Sequence, residues 1–547
     1  MNIYEITILE FLKTLRQPQN KASLLRGRQK FGAEKEKKEL AKLKMKIAKK
    51  YKVSLPSNIA LLKAFRKLLT EKKIKRSKLL ENILRTRPVR SLSGIVNVSV
   101  LTKSYPCPGK CIFCPSEAGL PKSYVSGEPA VERAKSLKFN PYTQVKGRIE
   151  TLESQGHFVD KVELRIIGGS FSFYPKKYKT WFLKRCFDGA NLKKSKNLKE
   201  SQKINEKAKH RIVGISIETR PDLITEKEIK NLRGLGVTMV ELGIQTVFDD
   251  VFKYSQTGQK ITDAIKAIKL LKDAGFKIMC QMMPNLPKST IEKDKKAFKE
   301  IFNNENFKPD WLKIYPCVVL RKTKLYNLWK AKKYKSYSDK SLISLIKYIK
   351  SICPFWIRIA RIYRDIPKQK IVSGSKISNL REVVQKEMKD ERIICHCIRC
   401  REIKERYNPK EKIYLFRQDY LASKGKEIFL SFENKNKTKL FSFLRLRIPS
   451  HIFEKDEDSI PLIFPVLKKA AIIREIHTFG RTLQIGGKGL TPQHRGLGKK
   501  LVKEAEKIAK KEFGLNKIAV ISGIGVRRYF KKIGYKLKDT YMMKKIK

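Results

Sequence analysis

Acidic side chains are in short supply. The chain of 547 residues carries 52 Asp and Glu against 123 Lys and Arg, a formal net charge of +71. No fold requires that excess, and without a polyanion it repels itself. Nucleic acid is the leading partner class, an anionic membrane surface comes second, and a general lysine bias is the bland alternative. Long apolar runs are missing as well, so no membrane span is expected. The opening MNIYEITILEFLKTLRQPQNK is amphipathic and broken by charge, unlike a secretory signal. A cytoplasmic protein is therefore expected, in a compartment where thiols stay reduced. Cysteine is sparse, ten in all. Where cysteines cluster, they read as metal ligands rather than disulfides.

The length calls for two or three domains. Residues 1–90 read as a basic, mainly helical region; within it, 21–50 holds twelve Lys/Arg and three Glu. That stretch is either a solvated helix or a phosphate-tracking surface. From about residue 92, short apolar runs such as GIVNVSVL, KVELRIIGG, IVGISIE and VTMVELGIQ alternate with amphipathic stretches. Five or six such units predict an α/β fold with a complete or partial barrel whose chemistry lies at the carboxyl ends of its strands. The lysine-rich insertion 189–211 is expected to be an exposed flexible loop, with His210 in solvent. After a cysteine-rich CHCIRC at 395–400, a smaller α+β domain follows, beginning with two antiparallel strands around ENKNK.

Cys107, Cys111 and Cys114 follow the first barrel strand in the spacing C-x3-C-x2-C. Three thiolates on a four-iron cluster leave one iron open, whereas structural zinc wants four closed ligands. Iron–sulfur is favoured over zinc or core thiols. Gly168-Gly169-Ser170 ends a strand, where glycines let backbone approach a ligand. QHRGLG, residues 493–498, precedes a helix in the pattern Q/R-x-x-G-x-G/A of a pyrophosphate loop, with a plain helix-capping turn as the alternative.

The cysteine loop resembles that of radical S-adenosylmethionine (SAM) enzymes, and the 493–498 loop resembles that of GNAT acyltransferases. Together with LPKSYVSGEPAVERA, ETRPD (218–222), ELGIQT, LLKDAGFKIMCQMMPNLPKST, PDWLKIYPC, CIRCRE, IREIHTFG and AVISGIGVRRYF, they make the chain resemble the family of the Elongator catalytic subunit from about residue 85 onward. That resemblance implies a radical SAM partial barrel fused to a C-terminal GNAT-type α+β domain, behind the basic helical N-terminal region. The implied divisions are 1–90 for tRNA binding, 91–375 for the radical SAM domain, 376–410 for a zinc-binding linker and 411–547 for acetyl-CoA binding. It implies a tRNA-modifying enzyme in which a 5′-deoxyadenosyl radical takes hydrogen from the methyl group of acetyl-CoA, ending with a carboxymethyl group on C5 of wobble uridine 34. A protein lysine acetyltransferase and a non-catalytic tRNA-binding scaffold are the alternatives.

By the same resemblance, Cys107, Cys111 and Cys114 hold a 4Fe-4S cluster, and Gly168, Gly169, Ser170 and Glu218 face SAM. Lys161 and Tyr529 take catalytic roles, Lys161 at a position that contacts acetyl-CoA. Glu475, Ile476, His477 and Thr478 lie along the pantetheine arm; Pro492, Gln493, His494, Arg495, Gly496 and Gly498 continue into the pyrophosphate loop. Tyr529 and Phe530 close the pocket, Phe530 departing from the family's second tyrosine. Ser170 stands where threonine is common, and PSEAG replaces a Pro-Gly-Gly. Cys395, Cys397 and Cys400 resemble a structural zinc site whose fourth donor the sequence does not name. Cys186, Cys280, Cys317 and Cys353 read as core thiols, and His157 and His451 as structural. The implied partners are the tRNA anticodon loop, acetyl-CoA, an electron donor for the cluster, and a second copy of the chain or accessory subunits.

Overall fold

The structure, a computed structural model, describes residues 2–16, 29–404, 407–408, 410–454, 462–480 and 495–546. It divides into two compact units, one of residues 1–92 with 147–159 and one of 93–146 with 160–547. The first unit is helical. Helices Ile3–Arg16, Gln29–Lys50, Asn58–Thr70 and Lys78–Leu84 gather Ile8, Phe11, Leu61, Phe65, Leu80 and Leu84 into a small core. His157 is structural there, bonded to Ser91 Oγ at 2.8 Å and to the Thr86 carbonyl at 3.0 Å.

The second unit holds two seven-stranded sheets. The first is parallel and open: β1 (Val96–Leu101), β2 (Lys161–Ile167), β3 (Arg211–Thr219), β4 (Met239–Gln245), β5 (Lys277–Met282), β6 (Trp311–Ile314) and β8 (Arg358–Arg361) pair in that order. Between them, β7 (Val319–Leu320) pairs with β9 (Ile371–Ser373). The partial barrel predicted from the sequence is present. Its last two strands, WLKI and RIAR, are short and charge-bearing, so apolar runs alone undercount the sheet. On β1 the valines 96, 98 and 100 are buried on one face, while Asn97 and Ser99 share a face with Glu163 and Arg165 of β2. Arg165 reaches Glu241 on β4, and Glu241 meets Lys313 on β6. Side chains of alternate strands meet only on a concave side, so this face is the barrel interior.

The second sheet runs β10 (Tyr414–Ala422), β11 (Gly425–Glu433), β12 (Leu440–Ile448), β13 (Ala470–Thr478), β14 (Lys517–Val520), β16 (Tyr541–Lys545) and β15 (Lys536–Lys538). The helix Leu497–Lys511 packs Leu501, Val502, Ala505 and Ile508 against it. Two charged residues of β13 and β12 turn instead toward the barrel. Arg474 is fully buried and donates to the Phe276 carbonyl and to Asp310, and Arg445 donates to the Trp356 carbonyl and to Glu475. Phe276, Asp310 and Trp356 stand just before β5, β6 and β8. His477 Nε2 bonds the Ser93 carbonyl ahead of β1 at 2.8 Å. The second sheet therefore closes the amino-terminal end of the barrel, opposite the end where barrel chemistry is sited.

The insertion 189–211 corrects an expectation. It contains the helix Leu198–Asn205, capped by the Asn197 side chain, and Asn205 bonds the His210 carbonyl and the Ile212 amide. His210 is buried at 1% exposure rather than in solvent. Amide side chains, not an apolar face, hold this segment, so its composition disguises it.

Candidate active site

The cysteine loop begins where β1 ends. Cys107, Cys111 and Cys114 are half-buried free thiols. They are spread more widely than a single ion requires. Among the described residues, the thiols of Cys395, Cys397 and Cys400 form a group within 4.8 Å of one another, and the first trio does not. Four sulfurs around one zinc sit about 3.8 Å apart at bond lengths of 2.3 Å. The wide trio therefore suits a multi-iron cluster and the tight one a lone ion. Burial raises the Cys111 thiol, against the pull of the nearby Arg220 guanidinium. Burial, with Cys111 and Cys107 beside it, pushes Cys114 up to about 12. Thiols such as Cys111 and Cys114, raised by burial, become good ligands once a cation compensates their charge.

The glycine turn lies beside the loop. Gly168 has φ +134°, and a Cβ there would stand 2.0 Å from Thr102 Oγ1. Only glycine fits. Ser170 Oγ is 3.7 Å from Cys107 Sγ. Glu218 accepts from Tyr124 Oη at 2.7 Å, Lys313 Nζ at 3.2 Å and Gln281 Nε2 at 3.3 Å. Deeper in, Glu241 is fully buried; burial opposes its charge, but Arg165 and Lys313 hold it down to about 2. Arg220 bonds Asp222 at 2.9 Å and the Thr257 carbonyl at 2.9 Å. A Cβ on Gly109 would meet Arg220 Nη1 at 2.2 Å, so Arg220 lies against the cysteine loop. Sequence reasoning missed Arg220, Tyr124, Arg165, Glu241 and Lys313. ETRPD held the first of them, but nothing local says that an arginine at a strand end folds back onto a loop more than a hundred residues earlier.

At the other end of the barrel, β13 pairs with β14 only over Ala470–Ile473. Beyond Ile473 the pairing with β14 stops, so that among the described residues 474–477 of β13 have no strand partner on that side. A free strand edge of this kind can pair with amide groups of an extended ligand. The helix N-terminus beside it starts at Gly496, with φ +71°. A Cβ on Gly498 would meet Tyr529 Oη at 3.3 Å, Ile476 Cδ1 at 3.7 Å and Thr478 Oγ1 at 3.8 Å. The fold thus gathers Ile476, Thr478, Gly498 and Tyr529 in one place. Arg495 is exposed and donates to Tyr407 Oη at 3.3 Å. Pro492, Gln493 and His494 lie outside the described residues.

Phe530 lies deeper than its neighbour Tyr529. It is buried at 2% exposure in the core cluster that holds Leu501, Ala505 and Tyr535, with its ring against Tyr529. The Glu475 and His477 side chains face the barrel, engaged by Arg445, Lys277 and Ser93. What they leave for a ligand is backbone. Lys161, at the start of β2, has its ammonium lowered by burial. It lies a seven-residue strand, roughly 20 Å, from the glycine turn. It therefore belongs to the end that the second sheet closes.

In the tight trio, hydrogen bonds from Cys395 and Cys400 hold Cys397 far below the usual thiol range, and Cys395 is raised in turn. Lys350 Nζ is 3.5 Å from Cys400 Sγ. Burial works against its charge, yet Cys395, Cys400 and Cys397 keep it above the ordinary lysine range. Cys353 is buried in the same corner, its thiol raised by burial and then by Cys397. The sequence offered it only as a core thiol.

Comparison with known proteins agrees with this layout. The radical SAM superfamily model matches residues 102–301, and the radical SAM C-terminal domain model matches 309–390. The tRNA uridine(34) acetyltransferase of Methanocaldococcus infernus is 46% identical over 93% of this chain and 96% of its own. The human Elongator complex protein 3 is 37% identical over 93% of each. The chain belongs to the Elongator complex protein 3 family. A solved structure of the archaeal Methanocaldococcus infernus Elp3, with residues 1–46 deleted, covers 83% of this chain and 100% of its own at 44% identity, with a TM-score of 0.71. As a radical SAM enzyme, the family member implies a 4Fe-4S cluster and SAM, and the Cys107–Cys114 loop is a donor set that fits them. No helix among the described residues is long and apolar enough to cross a membrane.

Proposed function

We propose that the protein is a tRNA-modifying enzyme that places a carboxymethyl group on C5 of wobble uridine 34, with acetyl-CoA as the carbon donor. One observation carries the reading. A single compact unit pairs a three-thiolate loop at one end of its barrel with, at the other, a strand edge at 474–477 that among the described residues has no strand partner on one side. An ordinary acetyltransferase needs a nucleophile and a base and has no use for the first. A radical enzyme without an acyl donor has no use for the second. The printed names of the relatives, tRNA uridine(34) acetyltransferase and Elongator complex protein 3, support the same reading.

Bound cluster and SAM supply a 5′-deoxyadenosyl radical, the reagent needed to activate a plain methyl group. The chain's own residues bind and orient. Gly168 and Gly169 admit the ligand's polar end to the backbone, and Glu218 accepts from it while Tyr124 and Lys313 fix the carboxylate. The edge at 474–477 pairs with the pantetheine amides, and the helix starting at Gly496 faces the pyrophosphate. Tyr529 holds the thioester end, and Lys161 meets it from the barrel floor. Cys395, Cys397 and Cys400 hold a structural zinc. The basic residues 1–90 cradle tRNA, followed by a radical domain at 91–375, a zinc linker at 376–410 and a coenzyme domain at 411–547.

The test is anaerobic reconstitution with iron and sulfide, then reductant, SAM, acetyl-CoA and unmodified tRNA, with the digested tRNA read by mass spectrometry. 5-Carboxymethyluridine made by the wild type and not by Cys111→Ala is the expected result. 5′-Deoxyadenosine without modified tRNA would reject the substrate. Acetyl-CoA consumption with neither product would favour an acetyltransferase.

A further inference from the structure

A ladder of aromatic rings runs outward from the first cluster cysteine. Tyr105, two residues before Cys107, stacks on Tyr174 at 4.7 Å and 27°. Tyr174 stacks on Tyr178 at 5.0 Å and 20°, and Tyr178 meets Trp181 at 5.6 Å. Phe173 leans on Tyr105 at 6.0 Å. The ladder is pinned to the segment that leads from β1 into the cysteine loop. Tyr174 Oη donates to the Lys103 carbonyl at 2.7 Å, and the Lys103 amide donates to Tyr178 Oη at 3.2 Å.

Its outer end is open. Trp181 is 46% exposed and Phe173 39%, unusual for rings this large. Around them Lys103, Lys110, Lys176 and Lys177 are exposed, and Lys103 Nζ lies 5.3 Å from the Tyr178 ring centre. Neither 101–110 nor 171–187 contains an acidic residue. Carboxylates reach the second segment at Lys179, from Glu228, and at Lys184 and Arg185, from Asp188; exposed aromatics among the lysines 103, 110, 176 and 177 mark an interaction surface for an acidic partner.

RNA would fit basic charge and ring faces. It has no need, however, of a ladder of rings that ends at Tyr105, two residues before the first cysteine of the loop. The radical chemistry needs an electron delivered to the cluster from outside. We infer that the surface formed by Phe173, Tyr178, Trp181, Lys103, Lys176 and Lys177 is the docking site of an acidic one-electron carrier protein, with the ring ladder leading inward to Tyr105, two residues before Cys107. One electron passes from the reduced carrier to the oxidised cluster; the carrier loses it, the cluster gains it, and no bond or proton moves. The inference rests on the cluster assignment proposed above.

Two variants alter only exposed side chains of this surface: Trp181→Ala and the pair Lys176→Glu with Lys177→Glu. Full-length protein loaded with cluster is mixed anaerobically with reduced flavodoxin, an acidic carrier, or with dithionite, and the bleaching of cluster absorbance is timed. Both variants are expected to slow carrier-driven reduction by about tenfold or more, with the dithionite rate unchanged. Added salt slows the wild type and has much less effect on the charge-reversed pair. An unchanged carrier rate overturns the inference, and if tRNA retention falls instead, the surface is RNA's. Slowing with both reductants overturns it too, since a damaged cluster site does that. A wild-type chain that takes up no cluster sinks the radical reading itself, and shows it in the absorbance before any reductant is added.

Discussion

The Arg474 guanidinium on β13 donates to both carboxylate oxygens of Asp310, at 2.9 and 2.5 Å, just ahead of β6. Both residues are fully buried. Arg474 also pairs with Glu427, and Arg445 joins Asp310 to Glu475, so β13 is tied to the barrel floor by charge rather than by oil. Such a junction fixes orientation well, because any slip leaves a desolvated charge unpaired.

Asp310→Asn is expected to destabilise the protein by about 3–5 kcal/mol, read as a fall in melting temperature. It leaves Arg474 and Arg445 buried with one carboxylate fewer. The pH dependence follows from the sign of the shift. Burial alone would raise Asp310, but Arg474 and Arg445 hold it well below the usual carboxylate range. Its stabilisation is therefore full above the unfolded value of about 3.9 and drains away as pH falls toward the folded value. Wild-type melting temperature should drop between about pH 5 and 2, and Asp310→Asn should show a shallower drop.

Gly168→Ala puts a methyl group 2.0 Å from Thr102 Oγ1 at φ +134°. Strain of about 1–3 kcal/mol is expected there, with loss of SAM binding measured by calorimetry on the cluster-loaded protein. Gly169→Ala meets only the Lys122 carbonyl, at 3.3 Å, though its own φ is +88°. It should bind SAM better than Gly168→Ala does.

Tyr529→Phe keeps the ring against Gly498 and removes the hydroxyl. Acetyl-CoA affinity and 5′-deoxyadenosine formation should hold, while tRNA product falls by roughly 10²-fold or more if that hydroxyl handles a proton. Phe530→Tyr, by contrast, pushes a hydroxyl into the core and should cost stability, about 1–3 kcal/mol, without a gain in rate. Equal product from Tyr529→Phe and wild type would remove Tyr529 from the chemistry.

Zinc content by elemental analysis should be one ion per chain and fall strongly in Cys400→Ala. Cys353→Ala should lower it as well if the buried thiol supplies the fourth donor. Full zinc in Cys353→Ala would leave that donor elsewhere.

Much of this protein is written locally. C-x3-C-x2-C after an apolar strand, Gly-Gly at the next strand's end and G-x-G before an amphipathic helix each need only neighbours in sequence, because thiolate spacing and backbone clearance are short-range matters. The apolar strands of the barrel and of β11, β12 and β13 were legible for the same reason: a buried strand must exclude water along its own length. Residues 189–211 were not legible, since a short helix held by amide hydrogen bonds, with only Ser201, Gln202 and Asn205 buried, leaves no apolar period behind. Nor were Arg220 against the cysteine loop, the Glu241 pair with Lys313 and Arg165, or the inward turn of Phe530. The sequence by itself determined which chemical groups the protein owns and roughly on which strands they stand. Only the tertiary structure decided that the thiolate loop and the edge of β13 beside Gly498 occupy opposite ends of one barrel, because that depends on long-range pairing of buried charges such as Asp310 and Arg474, which lie 164 residues apart along the chain.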